Sequence, residues 1–466
     1  MALGKMQLIA IAVAAVVVVG GIGVAFLVNN DDSNPPNDEL NVSAGLAVFG
    51  NANNDLKLDS ADKTLIQEII DGKKKLANYP LADADCDGSV DADDIALVNK
   101  LIAKESCTVN AVGLDVNGKQ INVPMKFPVD NTLTFGTNMA LTTINSGSAG
   151  TVVGVLDGLS YTGYAQKPIV DNGKLLVPGE ISGEGLSRTP DRNLVMKIVG
   201  SVDVKLADED EEIGVLFLDH SAKGLDDYLD FIFDDIPVLR LAVADPIEEI
   251  YASRLIGFLT GNDEIALNYA SKSIEVIEHV LDAVKDIPED KKNNYISMTM
   301  SVHICNNDSD YNKTGKYVGA VPYYTINNEF ATKYAGAGST KLTEPENTSN
   351  YTDIDYVISN RSADYMIEPY GKEGVIYKEW VKKSAYTYFE NLPCYENMLY
   401  INNILPGAVK IAVTAALISP DYVDMEYAES VIEDFSTFCE SFKGVTLENS
   451  YIYGTYEDYI DAKGAL

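Results

Sequence analysis

The sequence predicts an α/β protein in which two lobes are joined by one long α-helix, preceded by a small all-α unit and an N-terminal transmembrane helix. Three observations support this prediction. Strand and helix patterns alternate after residue 108, which is typical of α/β layers. One uninterrupted helical pattern divides this region at residues 263–287, and an acidic loop pattern occurs twice before it.

The first segment of the chain is apolar enough to cross a membrane. Residues 8–28 read LIAIAVAAVVVVGGIGVAFLV, which as a helix matches a hydrocarbon layer of about 30 Å. Lys5 precedes the run and Asp31 and Asp32 follow it, so the rest of the chain is expected outside the cell. A cleaved signal peptide and pilin-type processing near Lys5 are the alternatives. We predict an anchor at 1–30, a linker at 31–44 and a single-pass protein of the cell membrane with extracellular domains.

Charge and length limit the classes of partner. The chain has 466 residues, more than one hydrophobic core usually organises. Its formal net charge is -35, which repels phosphates, so we expect no nucleic acid partner. Of the five cysteines, Cys86 and Cys107 could pair, while Cys305, Cys394 and Cys439 are far apart. Because we find no phosphate loop, zinc spacing or nucleophile elbow, we expect no enzyme.

The acidic stretch DADCDGSVDADD, residues 83–94, has the spacing of a calcium loop. Calcium takes six to eight oxygen ligands, which a twelve-residue loop supplies from positions 1, 3, 5, 7, 9 and 12, with glycine at position 6. Gly88 is at position 6, and an apolar-faced helix, IALVNKLIAK, follows at 95–104. The predicted metal ligands of this second loop are Asp83, Asp85, Asp87, the Ser89 carbonyl, Asp91 and Asp94.

The same pattern occurs 32 residues earlier, in NANNDLKLDSAD at 51–62. This first loop is a poorer copy. Leu56 replaces the glycine and must strain or reshape the turn, and Asn51 removes one charge. A helical stretch, TLIQEII, again follows. Its predicted ligands are Asn51, Asn53, Asp55, the Lys57 carbonyl, Asp59 and Asp62.

Two loop-helix units with Asp at position 12 resemble the dockerin domain of cell-surface proteins, over residues 45–107. The resemblance implies two calcium sites and a cohesin-like or surface-layer partner. In dockerins, the side chains at loop positions 10 and 11 recognise the cohesin partner. Here those positions hold Ser60 and Ala61 in the first loop and Ala92 and Asp93 in the second, which is not the usual matched hydroxyl pair. Because metal binding contributes folding free energy to such small units, calcium is expected to raise the helicity of this segment.

The long helical pattern at 263–287 has one apolar stripe and no Gly or Pro inside it. It separates lobe 1, at 108–262, from lobe 2, at 288–450, and a C-terminal tail follows at 451–466. Predicted strands include TLTFGTN, TVVGVLDG, IGVLFLDH and IPVLRLAV before the helix, and YISMTMSVH, ADYMIEPY and MLYINNI after it. The stripe consists of Leu267, Ala270, Ile274, Ile277, Leu281 and Val284.

Residues 108–450 resemble the substrate-binding proteins of ABC importers for iron-siderophores, haem and cobalamin. The segments that carry the resemblance include VGLDVNGKQINVPMKFP, GTVVGVLDG and DIPVLRLAVADPIEEIYASRLIGFLTGNDEIA in lobe 1. In lobe 2 they are YAGAG, DIDYVISNRSADYMIEPY and ENMLYINNILPGAVKIAVTAALISPD. The resemblance implies two Rossmann-like lobes, a metal-chelate or tetrapyrrole ligand and an ABC permease. It places the permease-docking Glu329 in lobe 2, whereas Val195 stands where lobe 1 would carry its glutamate.

Ligands of α/β lobes bind beyond the carboxyl ends of the strands. His220 and His303 each follow a predicted strand, one in each lobe, and Arg188 could pair with a carboxylate of an anionic ligand. The hypothesis is a membrane-anchored extracellular solute-binding protein of an importer; the alternative is a calcium-dependent surface scaffold or adhesion protein. Aromatic walls for the ligand are predicted from Tyr161, Tyr164, Tyr370, Tyr377 and Trp380.

Overall fold

The chain forms two compact units in the computed structural model. The first comprises Met1–Ser160 and Gln166–Lys272, and the second Tyr161–Ala165 and Ser273–Leu466. The predicted membrane segment lies outside the described residues, and among the helices that are described none is long and apolar enough to span a membrane. The structure describes residues 45–155, 167–171, 196, 199–202, 206, 211–221, 236–297, 333–339, 365–370, 395–402, 405–446, 452–458 and 460.

The first unit begins with a pair of loop-helix elements. Helix α1 covers Ser60–Ile70 and helix α2 covers Ala92–Ile102, each after one acidic loop. The loop aspartates Asp59 and Asp91 are the N-caps, and each forms a complete capping box with the residue three positions later. The two helices enclose a small core with the loop residues that precede them, made by Ala52, Ile66, Ala82, Ala84 and Val98.

An antiparallel hairpin follows this pair without a break. Strand β1, Cys107–Leu114, pairs with strand β2, Gln120–Phe127. The chain ahead of the first loop joins the other edge of β1: the Phe49 amide donates to the Asn110 carbonyl over 2.9 Å, and the Val112 amide donates to the Ala47 carbonyl over 2.9 Å. The hairpin is therefore bonded along its backbone to the acidic-loop segment.

Residues 45–107 share a hydrophobic core with the α/β part of the first unit. Leu46, Val48 and Leu101 belong to the same buried cluster as side chains of β1, β2, a parallel strand that includes Phe217 and a helix that includes Leu255. The sequence predicts a separate domain at 45–107 because each loop-helix element is locally complete. The structure instead buries its apolar residues against the hairpin, so the acidic loops belong to a larger body.

A parallel sheet forms the rest of the first unit. Its strand order is β4-β3-β5-β6, and all three pairings are parallel. Strands β3, β4 and β5 are buried at every residue, as expected for a parallel sheet covered on both faces. The strands are Thr132–Phe135 (β3), Val152–Val155 (β4), Val215–Asp219 (β5) and Val238–Leu241 (β6), and the helices are Thr137–Asn145 (α3), Lys167–Val170 (α4) and Pro246–Leu259 (α5).

A buried carboxylate joins three helices of the first unit. Glu249 of α5 accepts hydrogen bonds from Asn145 Nδ2 over 3.0 Å, from Ser253 Oγ over 3.0 Å and from Tyr269 Oη over 2.7 Å. Burial raises the pKa of Glu249, and these three donors act in the opposite direction. Because Asn145 lies on α3 and Tyr269 on the helix that follows α5, hydrogen bonds to one carboxylate link all three helices.

Helix α6 covers Asp263–Val284, within the predicted range of 263–287. The boundary between the two units falls inside it, between Lys272 and Ser273. Its buried face is wider than the predicted stripe: Leu267 and Ile274 are half-buried, whereas positions on both sides of the stripe are covered. The additional buried residues are Ala266, Tyr269, Ser273, Val276 and Val280.

The second unit contains its own mixed sheet, with strand order β11-β10-β9-β7-β8. Strands β7 to β10 pair in parallel, and β11 is antiparallel to β10. The α/β class predicted from the sequence is confirmed in both units. The strands are Asn294–Ser297 (β7), Gly338–Ser339 (β8), Tyr365–Tyr370 (β9), Met398–Asn402 (β10) and Tyr453–Gly454 (β11), and the helices are Gly407–Ile418 (α7) and Met425–Phe438 (α8).

Candidate metal centre

The two acidic loops fold in the same way, 32 residues apart. Five hydrogen bonds from backbone amides to carboxylate or amide oxygens recur at the same loop positions. In the first loop they run from Asn53 N and Asp59 N to Asp62, from Asp55 N to Asn53, from Lys57 N to Asp55 and from Ala61 N to Asp59. In the second they run from Asp85 N and Asp91 N to Asp94, from Asp87 N to Asp85, from Ser89 N to Asp87 and from Asp93 N to Asp91.

The aspartate at position 12 closes each loop. Asp62 and Asp94 are 0% and 1% exposed, although they are charged residues. In the second loop, Asp94 Oδ1 accepts from Ala84 N over 2.6 Å and Asp94 Oδ2 from Asp91 N over 2.8 Å. One carboxylate thus binds both ends of the loop, which holds the other acidic side chains around a common centre.

In both loops, the residue at position 1 has a side-chain oxygen that accepts no hydrogen bond from the described residues. Asn51 Oδ1 and Asp83 Oδ1 are buried, and neither has a hydrogen-bond partner within the part of the chain that the structure describes. A buried polar atom without a partner costs roughly 1–3 kcal/mol. A cation at the loop centre would supply the missing partner, so this position fits a metal ligand.

The second loop has the donor set that calcium prefers. Asp83, Asp85 and Asp87 each offer an oxygen, and these oxygens lie within 4.8 Å of one another. Gly88 adopts φ 94, and its amide donates to Asp83 Oδ2 over 3.0 Å. The positive φ that position 6 requires is thus provided by the residue type that adopts it without strain. Hard carboxylate and carbonyl oxygens in this arrangement match calcium rather than a softer metal.

In the first loop, side-chain amide groups of asparagine donate hydrogen bonds to oxygens in or next to the loop. Asn51 Nδ2 donates to the Leu46 carbonyl over 2.7 Å and to the Asp55 carbonyl over 2.8 Å. Asn53 Nδ2 donates to Asp55 Oδ2 over 2.9 Å. Leu56, at position 6, is not among the described residues with positive φ, so this turn is reshaped there as the sequence predicts. The amide donors replace part of the attraction that a cation would give.

Burial raises the pKa values of the loop carboxylates. It raises the pKa of Asp62 to about 6, against backbone hydrogen bonds that lower it. The pKa values of Asp83 and Asp94 are also raised, first by burial and then by neighbouring aspartates. A bound cation favours the charged form of each of these groups, because it replaces the water that burial removes.

Cys86 and Cys107, whose positions in the sequence would allow a pair, are both free thiols. Cys86 packs with Phe49, Leu81 and Val112, whereas Cys107 packs on the larger core of the hairpin. Cys86 has φ 60, and its Sγ lies 3.7 Å from the Asp83 carbonyl. Burial raises the pKa of its thiol to about 12, so Cys86 is an unreactive packing residue of the second loop.

Of the predicted ligand-binding residues, His220 is described in full. It follows β5, and its amide donates to the Leu241 carbonyl over 2.8 Å. Its ring lies against the hairpin turn, where a Cβ added to Gly118 would stand 3.3 Å from Nε2. Tyr370 is the last residue of β9, of which the backbone alone is described. The other predicted residues lie outside the described part of the chain, namely Tyr161, Tyr164, Arg188, His303, Tyr377, Trp380 and the permease-docking Glu329.

Sequence reasoning missed one residue next to the first loop. Arg254 of α5 has a side chain that is 0% exposed, and its Nε donates to the Leu56 carbonyl over 2.6 Å. The signal was present: Arg254 is the one charged residue in the run IYASRLIGFL. A single guanidinium in an apolar helical run indicates a buried partner, but the sequence does not say where along the chain that partner lies.

No protein-family model and no curated protein matches this chain. It is similar to solved structures of binding proteins, at low identity. An ABC transporter solute binding protein from Sulfurospirillum deleyianum is 13% identical, with 72% of this chain and 96% of that chain covered and a TM-score of 0.46. The TroA-like periplasmic binding protein FepB from Veillonella parvula is 12% identical, with 74% and 99% covered and a TM-score of 0.46.

The petrobactin-binding protein YclQ from Bacillus subtilis is 13% identical to this chain. The alignment covers 73% of this chain and 100% of that chain, with a TM-score of 0.41. At these TM-scores the similarity assigns no ligand, partner or activity to this chain.

Proposed function

We propose that this protein is an extracellular solute-binding protein of an ABC importer, anchored in the cell membrane by residues 1–30 and stabilised by calcium at its N-terminal loops. The observation that carries the solute-binding part is architectural. Two compact units each hold a sheet of largely parallel strands, and helix Asp263–Val284 begins in one unit and ends in the other. This is the arrangement that the sequence resemblance implies, and the inference rests on that architecture by analogy.

The calcium part rests on the loops themselves. The second loop binds the ion through Asp83, Asp85, Asp87, the Ser89 carbonyl, Asp91 and Asp94. The unpartnered, buried Asp83 Oδ1 supports this assignment most directly. The first loop offers the corresponding positions with three carboxylates instead of five, so it binds calcium more weakly. The proposal includes the dockerin-like assignment of this paired unit.

Calcium stabilises the first unit as a whole. Because Leu46, Val48 and Leu101 share one core with the hairpin and the sheet, the loop-helix pair cannot unfold as a whole without exposing that core. When the free calcium concentration is about 1,000 times the Kd, binding to the folded loops therefore adds about 4.1 kcal/mol to the free energy of unfolding of the first unit. In this proposal the calcium loops stabilise the first lobe directly. They do not form a separate spacer domain between the membrane and the receptor.

The ligand of the receptor is a metal chelate or tetrapyrrole, of the iron-siderophore, haem or corrinoid class. We propose that the aromatic residues Tyr161, Tyr164, Tyr370, Tyr377 and Trp380 contact it, with His220, His303 and Arg188. A permease partner docks at Glu329. Aromatic faces suit flat ligands, and a neutral imidazole can coordinate iron or cobalt.

Isothermal titration of the full extracellular chain with haemin, cobalamin and ferric siderophores tests the ligand class, in calcium and again in a calcium chelator. We expect saturable one-to-one binding of one class. The variant Tyr161→Ala should weaken it, whereas Tyr422→Ala, at an exposed tyrosine on the loop between α7 and α8, should not. Absence of binding by all three classes, with calcium binding retained, would favour the scaffold alternative.

A further inference from the structure

The first acidic loop is fixed to the α/β part of the same unit by one buried guanidinium. Arg254 Nε donates to the Leu56 carbonyl over 2.6 Å, and its Nη2 donates to Asp263 Oδ1 over 2.7 Å. Arg254 is separated from Leu56 by 198 residues in sequence. Its Nη1 is buried and has no partner among the described residues. A charged side chain in this setting is retained only if its surroundings compensate for lost hydration.

The contact falls at position 6, where the two loops differ in sequence. In the second loop, Gly88 closes the turn with φ 94 and donates its own amide to Asp83. In the first loop, Leu56 does not adopt that conformation, and its carbonyl is held by Arg254 instead. The guanidinium therefore stabilises the turn that glycine stabilises in the other loop.

The two loops also differ in charge, and the first loop is the less negative of the two. The second loop has five carboxylates at its ligand positions, and the first has three, because Asn51 and Asn53 are neutral. The second loop brings three carboxylate oxygens within 4.8 Å of one another, and no equivalent group occurs in the first among the described residues. Burial lowers the pKa of Arg254, while Asp263 and the loop carboxylate Asp55 act in the opposite direction. The carbonyl that Arg254 binds belongs to Leu56, the residue directly after the loop ligand Asp55.

We propose that Arg254 is a built-in cation for the first loop: it keeps that loop folded without calcium and lowers its affinity for the ion, so that calcium regulates the second loop. The proposal rests on the proposed calcium function of the second loop. It assigns the two copies different roles. The first is a permanent attachment to the α/β body, and the second folds in response to extracellular calcium.

Hydrogen–deuterium exchange of the wild-type extracellular chain tests the proposal without a mutation. The amides of Asp59 and Asp91 make equivalent bonds, to Asp62 and Asp94, over 2.8 Å in each loop. In a calcium chelator we expect the amides of residues 51–62 to exchange slowly and those of residues 83–94 to exchange quickly. Calcium should then slow the second set alone. Equally fast exchange in both loops without calcium would overturn the proposal.

Charge variants test the role of the guanidinium. Each is placed in a background in which Asp83→Asn and Asp87→Asn remove calcium binding by the second loop, so that calcium titration reports the first loop. R254Q removes the charge and should raise the calcium affinity of the first loop about tenfold. R254K keeps the charge, so the calcium affinity of the first loop should stay low. K104Q is the matched control, because Lys104 also joins the helical pair to the body, at the Gly261 carbonyl over 3.0 Å, away from the ligands. Unchanged affinity in R254Q would contradict the proposal.

The two experiments separate this proposal from the proposed function. If calcium protects neither loop, the calcium function fails, while slow exchange of the first loop would still support a structural role for Arg254. If both loops exchange quickly in chelator and calcium slows both to the same extent, the calcium function stands and the role of Arg254 is refuted.

Discussion

Replacing Asp87 by Asn is expected to change the stability of the first unit in opposite directions with and without calcium. Asp83, Asp85 and Asp87 place their oxygens within 4.8 Å of one another, which makes three like-charge pairs. At the dielectric constant of water each pair costs about 0.9 kcal/mol, and Asp87→Asn removes two of them, about 1.7 kcal/mol. The unfolded chain keeps part of this repulsion, so we expect a net gain of about 1 kcal/mol without calcium.

The substitution preserves the local backbone geometry. Ser89 N donates to Asp87 Oδ1 over 2.7 Å, and the amide oxygen of Asn accepts the same bond. In calcium the order reverses, because the ion loses one charged ligand. A tenfold loss of affinity lowers the calcium stabilisation by about 1.4 kcal/mol.

Asp55→Asn, at the same position of the first loop, is the matched control. It should destabilise the calcium-free protein, because Asp55 Oδ2 accepts from Asn53 Nδ2 over 2.9 Å and Arg254 supplies a nearby positive charge. Calorimetric melting in chelator and in calcium measures both variants, and about 1 kcal/mol corresponds to roughly 2–4 °C for a body of this size. If Asp87→Asn lowers the melting temperature in chelator, the repulsion argument is wrong.

Three further changes test the packing of the first unit. Gly257→Ala should cost about 1–3 kcal/mol, since the new Cβ would collide with that of Ala266, and an unchanged melting temperature would contradict this contact. Leu101→Ala should cost about 2–5 kcal/mol and lower one transition for the whole unit, whereas a separate early transition of the helical pair would argue against a shared core. Burial raises the pKa of Glu249, so its contribution to stability is present below the usual Glu range and is lost as pH rises through the raised value. Glu249→Gln should flatten that part of the stability-pH profile, and an unaltered slope would exclude Glu249 as its source.

The local features of the fold could be predicted from the sequence. The calcium spacing fixes where each loop ends, because position 12 is also the third residue of the following helix and completes its capping box. The strand-rich runs and the long helical pattern were equally readable, since each depends on near neighbours in the chain. Leu56 illustrates the same point, because the absence of glycine predicted a reshaped turn and the turn has no positive φ there.

The long-range features could not be predicted. The sequence predicts a separate unit at 45–107, yet Val48 and Leu101 pack on the hairpin and the sheet, because hydrophobic periodicity shows which face is buried but not what covers it. The partner of Arg254 lies 198 residues away, and no local pattern encodes that distance. Cys86 and Cys107 flank one element in sequence and could have paired, but their side chains pack in different clusters.

Equilibrium dialysis of the full extracellular chain against radioactive calcium tests the central claim most directly. Extracellular calcium modules bind the ion at roughly 10⁻⁴–10⁻³ M or more tightly. We predict one bound ion per chain at low calcium, lost when Asp83 and Asp87 are both replaced by Asn, and a second, weaker one at higher calcium. Absence of bound calcium across this range, or equal binding by the doubly substituted chain, would contradict the account.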